Sequence, residues 1–184
     1  EPRLLKRFTT NEKDAMDVLC HAYCEFTAAH AALPQEIVID WLSCFSYFVW
    51  HCDEMAPSIL KYNAARCPMD ILAGPHGLSA PIQIECCRSL SFLTSNAAIS
   101  DLLVQTTPIT EVMMAFLLGE RSADRNSSDR MGSEIRSRQS RTEEGGVNTL
   151  PKYVINTLAN VSMNSEAVAM QLIGDDRVLL RLCS

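Results

Sequence analysis

Residues 82–119 read IQIECCRSLSFLTSNAAISDLLVQTTPITEVMMAFLLG, and their pattern of apolar positions returns later in the chain. The second copy covers residues 151–183 and reads PKYVINTLANVSMNSEAVAMQLIGDDRVLLRLC. In both copies the apolar residues recur at helical spacing, and Asn96 of the first is matched by Asn164 of the second. A pattern that returns in otherwise different residues indicates two copies of one packing unit, which a helical solenoid stacks to bury a continuous core.

The two copies can be paired residue by residue. An offset of 68 positions joins seven pairs, and an offset of 69 joins two more pairs further along. The seven pairs are Cys87 with Ile155, Leu90 with Leu158, Leu93 with Val161, Asn96 with Asn164, Ile99 with Ala167, Leu102 with Met170 and Val104 with Leu172, and the later two are Ile109 with Val178 and Met113 with Leu182.

The first part of the chain has helical spacing as well. We expect a leading helix over 11–33, capped by Asn11, and a first repeat over 34–74 that begins at Pro34. Within this repeat Pro68 begins a further helix. The first repeat is a fainter copy, because its apolar residues Leu42, Phe45 and Phe48 precede Cys87, Leu90 and Leu93 by 45 positions.

In the second repeat, 81–119, the spacing predicts three helices of different length. They are a long helix over 82–94, a short one over 97–105 and a medium one over 108–118, with Asn96 and Thr107 in capping positions. Since no long segment alternates apolar and polar residues, the sequence predicts an all-α fold.

Between the two clear copies lies a polar segment, 120–147, with six Arg and six Asp or Glu. Such a neutral polyampholyte cannot bury a core, so we expect a long flexible loop. Ser128 and Ser133 each follow an Arg by three residues, which is typical of kinase sites; a passive insertion is the alternative. The third repeat then covers 148–184. It either is truncated or continues into further repeats of a longer chain, which would cover the apolar end at 178–182.

Composition limits the classes of function. The chain has 184 residues and a net charge of −6, with no long basic stripe, so we expect one domain that binds no nucleic acid. The longest nearly apolar run, 37–50, is too short to cross a bilayer. Most of the eight Cys, including Cys20, Cys44 and Cys86, lie in helical runs, where free Cys acts as a small buried hydrophobe. These features favour a reducing, cytoplasmic compartment.

The unit of about forty residues resembles the armadillo repeat. The resemblance rests on 82–119 and 151–183, together with the copy at 35–74, and each unit reads long helix, turn with a cap, short helix and third helix. HEAT-like repeats share most of these spacings. The resemblance implies a right-handed superhelix of about three repeats, whose long helices line a concave groove for a protein or peptide partner.

The resemblance also implies which residues face that groove, namely those two before and two after the central apolar residue of each long helix. In import receptors of the karyopherin alpha kind these positions carry Trp and Asn, but here only Asn160 matches, and Arg88 would repel a basic peptide. We therefore do not expect recognition of nuclear localisation signals. The predicted groove residues, with those one turn earlier, are Asp40, Ser43, Tyr47, Glu85, Arg88, Phe92, Tyr153, Asn156 and Asn160.

The residues contain no catalytic motif and indicate no cofactor, so we expect a non-enzymatic interaction scaffold or adaptor. Two alternatives remain open. One is a regulator of another protein, such as a small GTPase or a chaperone. The other is a helical metal protein or enzyme, for which the metal-capable residues are Cys20, His21, Cys24, His51 and Cys52.

Overall fold

The computed structural model describes residues 12–51, 55–74, 79–120 and 149–183. Within these ranges the chain is helical and has no strand, so the all-α prediction is confirmed for them. Asn11, most of the polar segment and its two candidate phosphorylation sites lie outside the described residues.

Ten α-helices follow one another along the described residues. They are α1 (Glu12–Ala29), α2 (Gln35–His51), α3 (Ala56–Tyr62), α4 (Cys67–Ala73), α5 (Ala80–Leu93), α6 (Ala97–Thr106), α7 (Ile109–Leu117), α8 (Thr149–Asn164), α9 (Glu166–Ile173) and α10 (Asp176–Leu182), with single 3-10 turns at His30–Ala32 and Ala64–Arg66.

Local chemistry explains where several helices begin and end. Asn96 caps α6, since its side-chain oxygen accepts a hydrogen bond from the amide of Ile99. Thr107 does not cap α7 as expected: its hydroxyl donates to the carbonyl of Leu103, so it closes α6 instead. At the end of α7, Gly119 adopts a left-handed conformation, and the amide of Glu120 reaches back to Ala115.

The cap in the second clear copy differs from the prediction. Asn164 is the last residue of α8 and donates its side-chain hydrogen bond to the carbonyl of Asn160. Ser165 is the N-cap of α9, where its hydroxyl accepts from the amide of Val168. The offset between the two copies therefore changes from 68 to 69 at this turn, before the short helix.

Burial beyond the turn follows the offset of 69. Ile99 and Leu103 are buried in α6, and 69 positions later Val168 and Leu172 are buried in α9. The predicted partners Ala167 and Met170 are exposed. Two further residues expected inside, Phe48 of α2 and Ile155 of α8, are exposed. The corrected pairs in the short helices are Ile99 with Val168 and Leu103 with Leu172.

The helices share one core. The most extensive contacts join α5 to α2 on one side and to α8 on the other, and Leu90 and Leu158 belong to the same cluster of buried residues. Around this row, α1 packs against α3 and α4, whereas α6, α7 and α9 pack against α8. Two small buried residues, Ser46 and Ser89, form a hydroxyl hydrogen bond of 2.7 Å between α2 and α5.

Candidate functional site

A surface cleft runs across α2, α5 and α8, on the face where the groove was predicted. Trp50 of α2 stacks on Phe92 of α5, with ring centres 5.6 Å apart and planes inclined by 10°. Tyr153 of α8 meets the same Phe92 edge to face, with ring centres 6.5 Å apart. Together with Tyr47, these side chains form what we call the aromatic cleft. They join three helices through ring contacts.

The aromatic cleft surrounds a cavity of about 330 Å³ that is open to solvent on one side. Trp50 and Tyr47 contribute large exposed surfaces, with 60% and 59% of their area accessible. Single exposed apolar residues are common, but adjacent exposed aromatic side chains around a cavity are typical of a binding site.

Arg88 connects the cleft to the helices beneath it. Its guanidinium lies 2.6 Å from a carboxylate oxygen of Glu85 and donates a hydrogen bond of 2.9 Å to the hydroxyl of Ser43. It also lies over the ring of Tyr47, 5.6 Å from the centre. Since Ser43 and Tyr47 belong to α2 and Arg88 to α5, this side chain has a packing role as well as a place in the cleft.

Glu85 is the acidic member of this cluster. Its side chain is only 14% exposed. Burial raises the pKa of Glu85, and the neighbouring charge of Arg88 partly opposes that rise. The carboxylate is thus held beneath the surface, paired with Arg88.

Among the residues that the structure describes, the charged side chains that line the cavity are both cationic, namely Arg88 and Lys152. Lys152 is exposed and has no ion-pair partner within the described ranges. The polar lining is completed by Ser46 and Asn156. An apolar wall with a few cationic and hydrogen-bonding groups suits a ligand that is partly apolar and partly anionic.

Seven of the nine predicted groove residues lie together in or directly beside the aromatic cleft. The other two do not. Asp40 is exposed on α2 and does not line the cavity. The Asn160 side chain points to α5, where it donates hydrogen bonds to Ser91 and Thr94. The amide nitrogen of Asn160 is therefore engaged within the chain, and a contact between Asn160 and a partner stays a prediction.

Sequence reasoning missed three lining residues. Trp50 lies three residues after Tyr47, and Lys152 lies four residues before Asn156, so in both cases helical spacing placed the missed residue on the predicted face. Ser46 lies three residues after the predicted Ser43 and so has the same spacing, but it is 1% exposed and reaches the cavity from the core side.

Three of the predicted metal-capable residues, Cys20, His21 and Cys24, lie on α1. Cys20 is buried, whereas the Cys24 thiol donates to the carbonyl of Tyr62 and the side chain of His21 is exposed. No group of three or more His, Cys, Asp or Glu side chains within the described ranges is arranged to hold a metal ion. The side chain of His51 and all of Cys52 lie outside those ranges.

The thiols are mostly internal. All seven described Cys are free. Cys20, Cys86 and Cys87 are buried as expected, and Cys67 is buried as well. Cys44 is exposed, contrary to the prediction, because it lies on the outer side of α2.

The last helix presents apolar side chains outward. Leu180 is 73% exposed and Leu182 is 42% exposed, whereas Val178 is fully buried. The predicted open apolar end thus includes Leu180 and Leu182. It does not include Val178, which belongs to the core cluster.

Comparisons of the chain with protein-family models, curated proteins and solved structures find no match. Among the described helices, none combines the length and the apolar character that crossing a bilayer requires.

Proposed function

We propose that this chain is an armadillo-like array of three-helix modules that serves as a non-enzymatic scaffold, with a protein or peptide partner bound in the aromatic cleft. The aromatic cleft is the observation that carries this proposal. Its rings come from three successive long helices, and Trp and Tyr are the residue types that most often dominate binding energy at interfaces.

The order of contacts supports the modular arrangement. Each long helix, α2, α5 and α8, is followed by shorter helices, and α5 packs against the long helix before it and the one after it. In an array of this kind each unit buries its apolar face against its neighbours. The same face of successive long helices then forms one continuous surface.

The lining of the cavity favours binding over catalysis. A serine nucleophile needs a base within hydrogen-bond reach. The hydroxyl of Ser46 instead donates to the carbonyl of Leu42 or bonds to Ser89. The other lining groups supply stacking surfaces and positive charge.

The proposal is tested by affinity capture from native lysate with the wild type and a Trp50→Ala, Tyr153→Ala variant. The control is Ile173→Ala on α9, away from the cleft. It removes an apolar side chain that is as exposed as that of Trp50. We expect the wild type and the control to capture proteins that the cleft variant does not capture.

A captured protein is then purified, and its binding to the same three proteins is measured by calorimetry. The proposal requires direct binding that the cleft variant reduces at least about tenfold, or about 1.4 kcal/mol. Partners that bind all three proteins equally would refute it. A nucleotide-exchange assay on a captured GTPase would distinguish a regulator from a simple scaffold.

A further inference from the structure

We propose that the aromatic cleft binds a peptide segment in which a large apolar side chain lies next to acidic residues. This inference rests on the proposed function and names the chemistry of its partner.

The apolar part of the partner follows from the size and walls of the cavity. A volume of about 330 Å³ is at the lower end of ligand pockets, so it suits one large side chain better than an entire ligand. Phe92 is contacted by Trp50 on one side and by Tyr153 at an edge. An aromatic or long aliphatic side chain that enters here would pack against these rings.

The acidic part follows from the charges around the cavity. The chain as a whole carries a net charge of −6, yet the charged side chains lining this cavity in the described ranges, Arg88 and Lys152, are both positive. The acidic group paired with Arg88, Glu85, lies beneath the surface. Lys152 therefore presents its charge to a partner, and acidic residues complement it while basic residues are repelled.

The rest of the segment would lie along the outer faces of the long helices. Asn156 lines the cavity, and its exposed amide can pair with the backbone of an extended peptide. A peptide backbone needs such partners when its side chain is buried.

The test uses the full chain and a library of nine-residue peptides with Phe fixed at the centre and equal mixtures of Asp, Lys, Ser and Ala at the other positions. We expect selection on the wild type to enrich Asp beside the Phe. The most enriched peptide is then synthesised with a fluorescent label, and its affinity is measured by anisotropy.

The matched variants are Lys152→Glu and Arg181→Glu, which change the net charge equally. Arg181 is exposed on α10 and does not line the cavity. We expect Lys152→Glu to weaken binding about tenfold and Arg181→Glu less than about twofold, because long-range effects of surface charge are screened. Equal losses for the two variants would overturn the inference.

The outcomes separate this inference from the proposed function. Enrichment of Lys or of uncharged residues, in peptides that the Trp50→Ala, Tyr153→Ala variant no longer binds, would overturn the acidic preference and leave the scaffold proposal standing. Failure to select any peptide on the wild type over that variant would count against both.

Discussion

The side-chain amide of Asn160 on α8 donates hydrogen bonds to the carbonyl of Ser91, 3.0 Å away, and to the hydroxyl of Thr94, 3.2 Å away. Ser91 lies in the last turn of α5, where backbone carbonyls have no amide partner within the helix. Asn160 supplies that partner from the next long helix. It therefore ties α8 to the end of α5.

We expect Asn160→Ala to lower the free energy of unfolding by about 1–2 kcal/mol, because the Ser91 carbonyl loses its shorter hydrogen bond and keeps only the one of 3.4 Å from the Thr94 hydroxyl. Urea unfolding followed by circular dichroism measures the change. The control is Asn156→Ala on the same helix, which is exposed and should change stability by less than about 0.5 kcal/mol. Similar losses in the free energy of unfolding for the two variants would contradict a stabilising role of the Asn160 hydrogen bonds between α8 and α5.

The contact between α2 and α5 gives a second prediction. Ser89 is completely buried, and its hydroxyl bonds to that of Ser46. Ser89→Ala should cost about 1 kcal/mol, whereas Ser89→Leu should cost about 3 kcal/mol because the added volume separates two tightly packed helices.

Urea unfolding of both Ser89 variants provides the measurement. Ser162→Leu on α8 is the control, since that hydroxyl bonds to Ala159 of its own helix and is exposed. If Leu at position 89 were tolerated as well as Ala, the close approach of α2 and α5 would be wrong.

Stability should fall at alkaline pH because of the buried thiols. Burial raises the pKa of Cys87 to about 12 and that of Cys20 to about 11. In the unfolded chain a thiol loses its proton near its ordinary pKa of about 8.5. Above that pH the unfolded chain releases protons that the folded chain keeps, so each thiol lowers the free energy of unfolding by up to about 1.4 kcal/mol per pH unit.

The contribution is fully present below about pH 8.5 and is lost as pH rises toward the folded pKa. Urea unfolding at pH 8, 9.5 and 10.5 measures how steeply the free energy of unfolding falls with pH, and Cys87→Ala should reduce this slope by the equivalent of about one proton. If the free energy of unfolding of Cys87→Ala fell with pH as steeply as that of the wild type, the buried Cys87 thiol would not be a cause of the pH dependence.

The two Trp side chains should differ in fluorescence. Trp50 is 60% exposed beside Phe92, whereas Trp41 is partly buried against the core and packs near Tyr23 and Phe26. In a Trp41→Phe variant, acrylamide should quench the remaining Trp50 more strongly than it quenches Trp41 in a Trp50→Phe variant. Adding Phe92→Ala to the first variant should increase quenching further, since the stacked ring is removed. The reverse order would show that the aromatic cleft is not open to solvent.

The sequence predicts the helices and the shared position of Leu90 and Leu158 in one core because apolar periodicity reflects burial. It also predicts most of the cleft, since residues three and four apart share a helix face. Ser43, Tyr47, Arg88 and others come together for that reason. Their mutual contacts, such as the guanidinium of Arg88 over Tyr47, depend on how α2 and α5 approach and are not encoded in spacing.

The cap of α9 shows a different limit. Asn164 and Ser165 are adjacent, and Asn and Ser are equally good N-caps. Matching Asn164 to Asn96 was thus chemically reasonable but wrong by one residue. The choice between them depends on which register buries Val168, and this is a property of packing against α8.

The extra residue at this turn determines how the units could be recombined. A chimera that joins Asn96 to Ser165 would place Val168 one residue late and turn it by about 100° away from the position that Ile99 occupies. A junction from Asn96 directly to Glu166 preserves the inward direction of both buried residues of the short helix. The two segments that share the apolar pattern therefore differ by one residue at this turn, and a splice that deletes one residue brings their buried positions into the same register.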